Sequence, residues 1–139
     1  MIYEKSCGFV AYTEKDGARL YLIIRSSNGD YGFPKGHMER GETDYETAIR
    51  ELKEETNVGV AIIDGFRRQI EYKLPNKYVI KQSVYFLGRC TSTEAVPQES
   101  EVSSVMFVPL ERALQLLTFE DTKRIIKEAD NYVDNSAFM

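Results

Sequence analysis

With 139 residues, 42% of them hydrophobic and 12% aromatic, the chain suits one domain around one core and is too apolar to be disordered. Its 18 basic and 22 acidic residues leave a net charge of −4, which argues against binding to bulk nucleic acid or an anionic membrane. No 18-residue apolar run or signal-type N-terminus is evident, and Cys7 and Cys90 suit neither a disulfide framework nor a zinc site, so a cytoplasmic single domain over residues 1–139 is expected.

In chain order, Ser6–Tyr12 and Arg19–Ile24 read as strands, and Lys15-Asp16-Gly17 as the turn that joins them in a hairpin. Cys7, like Cys90 later, sits in a strand-like context and is expected to be a small buried hydrophobe. A loop from Tyr31 to Glu42 follows, with Gly32, Gly36 and Gly41 for tight backbone and Pro34 to stiffen its entry. Lys35, His37 and Arg40 bring positive or protonatable groups into it, and such a loop turning into a helix N-terminus can present amides to an anion.

The helix after the loop has a clear start and stop. Thr43-Asp44-Tyr45-Glu46 predicts a capping box, and Asn57 stands where a helix end wants a left-handed residue. Tyr45, Ala48, Ile49 and Leu52 fall at i, i+3, i+4 and i+7 and predict an apolar stripe for the core. Glu46 and Arg50 can pair at i, i+4, and Arg50 can reach Glu54 in the same way. Glu51, Glu54 and Glu55 at i, i+3 and i+4 share a different face, where like charges repel unless a cation sits between them. A hard divalent cation is the natural partner, Mg²⁺ or Mn²⁺ in its place, because it takes carboxylate oxygens and also holds substrate phosphates. The plain alternative is a solvated charged face, which leaves the Gly-rich loop before it unexplained.

Beyond the helix, Val60–Ile63 and Phe66–Tyr72 read as two strands and Leu74–Lys77 as a turn. Tyr78–Leu87 is a long strand, the expected partner of 66–72. Thr91–Ser100 is a polar, acidic loop, and Ser104–Val108 a short strand. Leu110–Leu117 and Phe119 to about Val133 read as helices, with Asn131–Met139 expected to fray. Strands around one central helix, with C-terminal helices for the other face, imply an α/β fold with the sheet between helices.

The segment 36–58 resembles the Nudix box, G-x5-E-x7-R-E-U-x-E-E-x-G-U with U aliphatic: Gly36, Glu42, Arg50, Glu51, Glu54 and Glu55 match, and Leu52 and Val58 fill the aliphatic positions. Asn57 departs from the glycine of the pattern but tolerates the same left-handed backbone. The resemblance implies an α/β/α sandwich with a mixed central sheet, and hydrolysis of a pyrophosphate link in a nucleotide by water with divalent metal. It implies that Glu51, Glu54 and Glu55, with Gly36 beside them, form the metal site, that Arg50 orients the glutamates, and that Glu42 supports the metal or holds the loop. One of the helix carboxylates, or a loop carboxylate (Glu101, with Glu99 as competitor), would be the general base.

Outside the box, Phe33–His37, Gly65–Arg67, Glu71-Tyr72, Asn76-Lys77 and Phe119 resemble the asymmetric diadenosine tetraphosphate hydrolases within that family. That likeness implies an aromatic clamp for a base from Tyr72 and Phe119, and phosphate contacts from Lys35, His37, Lys77 and Lys81. The alternatives are core packing for Phe119, a strand-face aromatic for Tyr72, and solvated edge-strand lysines for Lys77 and Lys81. Three functional readings follow. The first is a dinucleoside polyphosphate hydrolase with a small nucleotide substrate. The second is a Nudix hydrolase of nucleoside triphosphates, RNA 5′ ends or inositol pyrophosphates, the last wanting a denser basic patch. The third is a non-catalytic nucleotide sensor, which would have no reason to keep the acidic face.

Overall fold

The computed structural model describes residues 2–75 and 78–136. The order is β1 (Ile2–Lys15), β2 (Ala18–Ser26), β3 (Tyr31–Gly32), β4 (Lys35–His37), α1 (Asp44–Thr56), β5 (Val60–Lys73), β6 (Val79–Cys90), β7 (Val102–Val108), α2 (Leu110–Leu116) and α3 (Glu120–Ser136). The hairpin turn is the expected Asp16-Gly17, both with positive φ (53° and 81°), which matches the twist of the flanking strands.

All seven strands form one mixed sheet, ordered β3-β2-β1-β6-β5, with β7 on β2 and β4 on β1. β1 runs parallel to β6 over Ile2–Tyr12 and antiparallel to β2 over Tyr12–Lys15. Before Tyr12 the β1–β2 pairing is absent, and the loop occupies that gap, β3 pairing with Ile24 and Arg25 and β4 with Ser6–Gly8. A side chain at Gly8 would collide with Pro34 and Lys35, so the loop lies directly on β1.

Period-2 alternation sorts the core into two layers. Cys7, Phe9 and Ala11 of β1, Leu22 of β2 and Val84 and Phe86 of β6 pack on Ala48 and Leu52 of α1. Val10, Tyr12, Tyr21, Ile23, Tyr85 and Leu87 point the other way, onto Ile125, Ile126 and Ala129 of α3. Helices therefore cover both faces, as expected. Among the described residues no helix is long and apolar enough to cross a membrane.

Five expectations change. Val60–Ile63 and Phe66–Tyr72 are one strand, because β6 pairs with both and the register shifts at a bulge between Ile63 and Arg67. Gly65 there has φ 92° and Phe66 turns inward, 1% exposed. The tail does not fray at Asn131: α3 runs to Ser136, because Val133 is buried against the sheet. Ile49 is 43% exposed and Thr47 fully buried, so the buried face of α1 is rotated from the apolar stripe. Glu46 does not pair with Arg50, since its carboxylate closes the capping box on the Thr43 amide at 2.9 Å. Of the cysteines, Cys7 is buried and Cys90 only partly so.

Candidate active site

The start of α1 forms as its sequence dictates, with Thr43 accepting from the Glu46 amide and Asn57 left-handed at φ 63°. Arg50 then organises the turn before it. Its guanidinium donates to both oxygens of Glu42 (2.7 and 3.0 Å), to Glu51 (2.8 Å), to Glu54 (3.1 Å) and to the His37 carbonyl (3.0 Å). Glu42 also accepts from the Glu39 amide and the Thr47 hydroxyl. Arg50 above all, then the Glu39 amide, pull the Glu42 carboxyl down to about 2. Glu42 thus accepts hydrogen bonds from both the loop and α1.

Glu51 lies against the backbone of Gly36, where any Cβ would overlap its carboxylate. Burial raises its pKa against the pull of Arg50. Glu55 is deeper, 6% exposed, and accepts from the Lys35 amide at 3.0 Å. Burial first, then the negative charge of Glu51, push its carboxyl up to about 8. The 91–101 loop packs over this end of α1, its Gln98 amide donating to the Glu55 carbonyl and its Glu101 carbonyl accepting from Ser27.

The donors here are hard carboxylate oxygens, and Glu55 is a buried acid beside a second acid. That donor set fits a hard divalent cation, which would relieve both burial and repulsion. As the side chains stand, Arg50 takes up Glu42, Glu51 and Glu54, and among the described residues no three His, Cys, Asp or Glu converge on one point.

A cavity of about 620 Å³ opens beside Glu55, on the α3 side of the sheet. Glu55 comes from the helix on the opposite face and meets it at the gap between β1 and β2. Tyr72, Phe119, Lys35 and Glu101 share its walls. Phe119 is 56% exposed, which rules out core packing, and Tyr72 is 48% exposed. Glu99 does not line it. Lys35 is largely buried, its Nζ donating to Ser83 Oγ at 3.1 Å, and burial and then Lys81 lower its pKa.

Register places the remaining residues. Tyr72 pairs with Lys81 and Lys81 with Glu4, while His37 pairs with Ser6 and Lys35 with Gly8. Cross-strand partners point to the same side, so Tyr72, Lys81, Lys35 and His37 share the cavity face. Lys81 is on an internal strand, not an edge, and pairs with Glu4 at 3.4 Å. His37 is exposed and lies outside the cavity walls. Lys77 lies outside the described residues.

Sequence reasoning passed over Ser83, Tyr85, Asp30 and Asp121, which also line the cavity. Ser83 carried a faint signal, as a small polar residue in an apolar strand. The two aspartates carried none, being ordinary for a turn and a helix start.

The NUDIX domain pattern matches residues 4–129. The chain is 29% identical over 145 residues to the asymmetrical bis(5′-nucleosyl)-tetraphosphatase of Sus scrofa, covering 96% of this chain and 97% of that one. Its counterpart in Rattus norvegicus is 30% identical over 141 residues, covering 93% and 95%. Among solved structures, a binary complex of the C. elegans Ap4A hydrolase superposes with a TM-score of 0.86 at 22% identity, covering 95% of this chain and 98% of that one. With the domain pattern spanning nearly its whole length, the chain belongs to the NUDIX family.

Proposed function

We propose that the protein is a divalent-cation-dependent hydrolase that splits diadenosine tetraphosphate asymmetrically into ATP and AMP. The observation that carries this reading is the single cavity that Tyr72 and Phe119 share with Glu55, Glu101 and Lys35. Base stacking on exposed aromatics is worth about 1–3 kcal/mol per base. A base held there is fixed relative to the acidic face, which decides which phosphorus meets the attacking water. The likeness to the pig and rat tetraphosphatases over nearly the full length of both chains supports the same substrate class.

Glu51, Glu54 and Glu55 would hold Mg²⁺, with Mn²⁺ as a substitute. Bound there, the cation would neutralise phosphate charge and orient the reacting groups. Arg50 positions Glu51 and Glu54, and Gly36 leaves room for the Glu51 carboxylate. Lys35, His37 and Lys81, on one face of the sheet, would bind the polyphosphate, with Lys77 as a further candidate. Glu101 is the candidate base or supporting acid on the loop side.

The test is product analysis with Mg²⁺ in ¹⁸O-labelled water. ATP plus AMP, with the label in one of them, is the expected result. Two ADP would refute the asymmetric assignment. No cleavage of any dinucleoside polyphosphate, alongside good turnover of nucleoside triphosphates or RNA 5′ ends, would move the protein to that substrate class.

A further inference from the structure

Phe119 lies in the short turn between α2 and α3, and helix propensity does not orient its ring. On one side Leu117 is 2% exposed and anchors the turn in the core. On the other, the Phe119 carbonyl accepts from the Thr122 hydroxyl (2.7 Å) and the Lys123 amide (3.3 Å), which starts α3. Between them, Thr118 bonds to Tyr31 of β3. Its Oγ1 accepts from the Tyr31 amide at 2.8 Å, and its own amide donates to the Tyr31 carbonyl at 3.2 Å. Tyr31 and Phe119 both line the cavity. This two-bond bridge therefore ties the turn that carries Phe119 to β3.

We infer that Thr118 is a positioning residue: its side chain sets the distance of the Phe119 ring from the rest of the cavity, and so the fit of a base against it. The inference rests on the reading of Phe119 as one side of the base site. The physical reason is that an exposed ring needs a fixed backbone to act as a preformed stacking surface. Otherwise the ordering cost falls on ligand binding. The hydroxyl is the part that matters, because Thr118→Val keeps the shape and the amide bond while leaving the Tyr31 N–H without its acceptor.

The experiment measures kcat and KM for diadenosine tetraphosphate with Mg²⁺, and the Kd of ATP by calorimetry. It uses the wild type, Thr118→Val, Thr118→Ser, Phe119→Ala and the Thr118→Val/Phe119→Ala double variant, with thermal midpoints alongside. We expect Thr118→Val to raise KM and the ATP Kd by about 3- to 10-fold with kcat within about twofold. Thr118→Ser should restore both. In the Phe119→Ala background, Thr118→Val should add nothing, since its effect runs through the ring.

Unchanged KM and Kd in Thr118→Val would overturn the inference. So would equal impairment in Thr118→Ser, or a full additional loss in the double variant. Wild-type values in Phe119→Ala would remove the base site itself and the inference with it. The same Kd pattern for ATP, without any cleavage of the dinucleotide, would keep the Thr118 assignment and overturn the proposed reaction.

Discussion

Replacing Glu55 with Gln tests the acidic face where it is most strained. Glu55 is 6% exposed, and its carboxyl is pushed from its ordinary 4.5 up to about 8, by burial and then by Glu51. A raised folded-state pKa means that folding favours the protonated form. The stability this group supplies is fully present below about pH 4.5 and is lost as pH rises through about 8. At 1.36 kcal/mol per pH unit the loss has an upper limit of about 5 kcal/mol. Gln does not titrate, and its carbonyl oxygen can still accept from the Lys35 amide. Without divalent cation, wild-type stability should therefore fall between pH 4.5 and about 8, while Glu55→Gln stays flatter. At a few degrees per kcal/mol for a domain of this size, the variant should melt on the order of 10 °C higher at pH 9. Millimolar Mg²⁺ should narrow that gap, raising the wild-type midpoint by about 5 °C and the variant's by about 1 °C at most. Thermal unfolding at several pH values, with EDTA and with Mg²⁺, measures both effects. Parallel pH profiles for the two proteins would refute the buried-acid argument, and equal gains from Mg²⁺ would remove Glu55 from the cation site.

Glu54→Gln should cut kcat by about 100-fold or more at saturating Mg²⁺ while leaving the thermal midpoint within about 2 °C, because Glu54 is half exposed and its pair with Arg50 adds little to stability. Steady-state kinetics and a melt decide it, and full turnover would take Glu54 out of the cation site. Tyr72→Ala should raise KM for diadenosine tetraphosphate by about 5- to 100-fold with a smaller change in kcat, the size of a lost base stack. Equal kinetics would place Tyr72 outside the site. Gly36→Ala should cost at least about 10-fold in kcat, because its Cβ would occupy the space of the Glu51 carboxylate. A circular-dichroism melt separates that loss from unfolding, and wild-type turnover would show that Glu51 need not lie against Gly36.

Local rules carried the sequence reading a long way. The capping box, the left-handed Asn57 and the Asp16-Gly17 turn all formed as written, because each depends on neighbours within a few residues. The spacing of Arg50, Glu51, Glu54 and Glu55 likewise needed only the helical repeat. One failure was a clash between two local rules: the expected capping box held Glu46, so Arg50 kept its expected reach to Glu54 but turned to Glu42 and Glu51 instead of Glu46. The others came where a distant partner competed. β6 joined two expected strands into one across a bulge, and packing against the sheet kept α3 ordered past Asn131. Only tertiary structure decided the cavity. It set Phe119 in the open and brought Tyr72, Lys35 and Glu101 to the same walls from separate parts of the chain. It also buried Glu55 beneath the loop. No period or motif encodes those distances, because the path of the loop through the gap between β1 and β2 sets them.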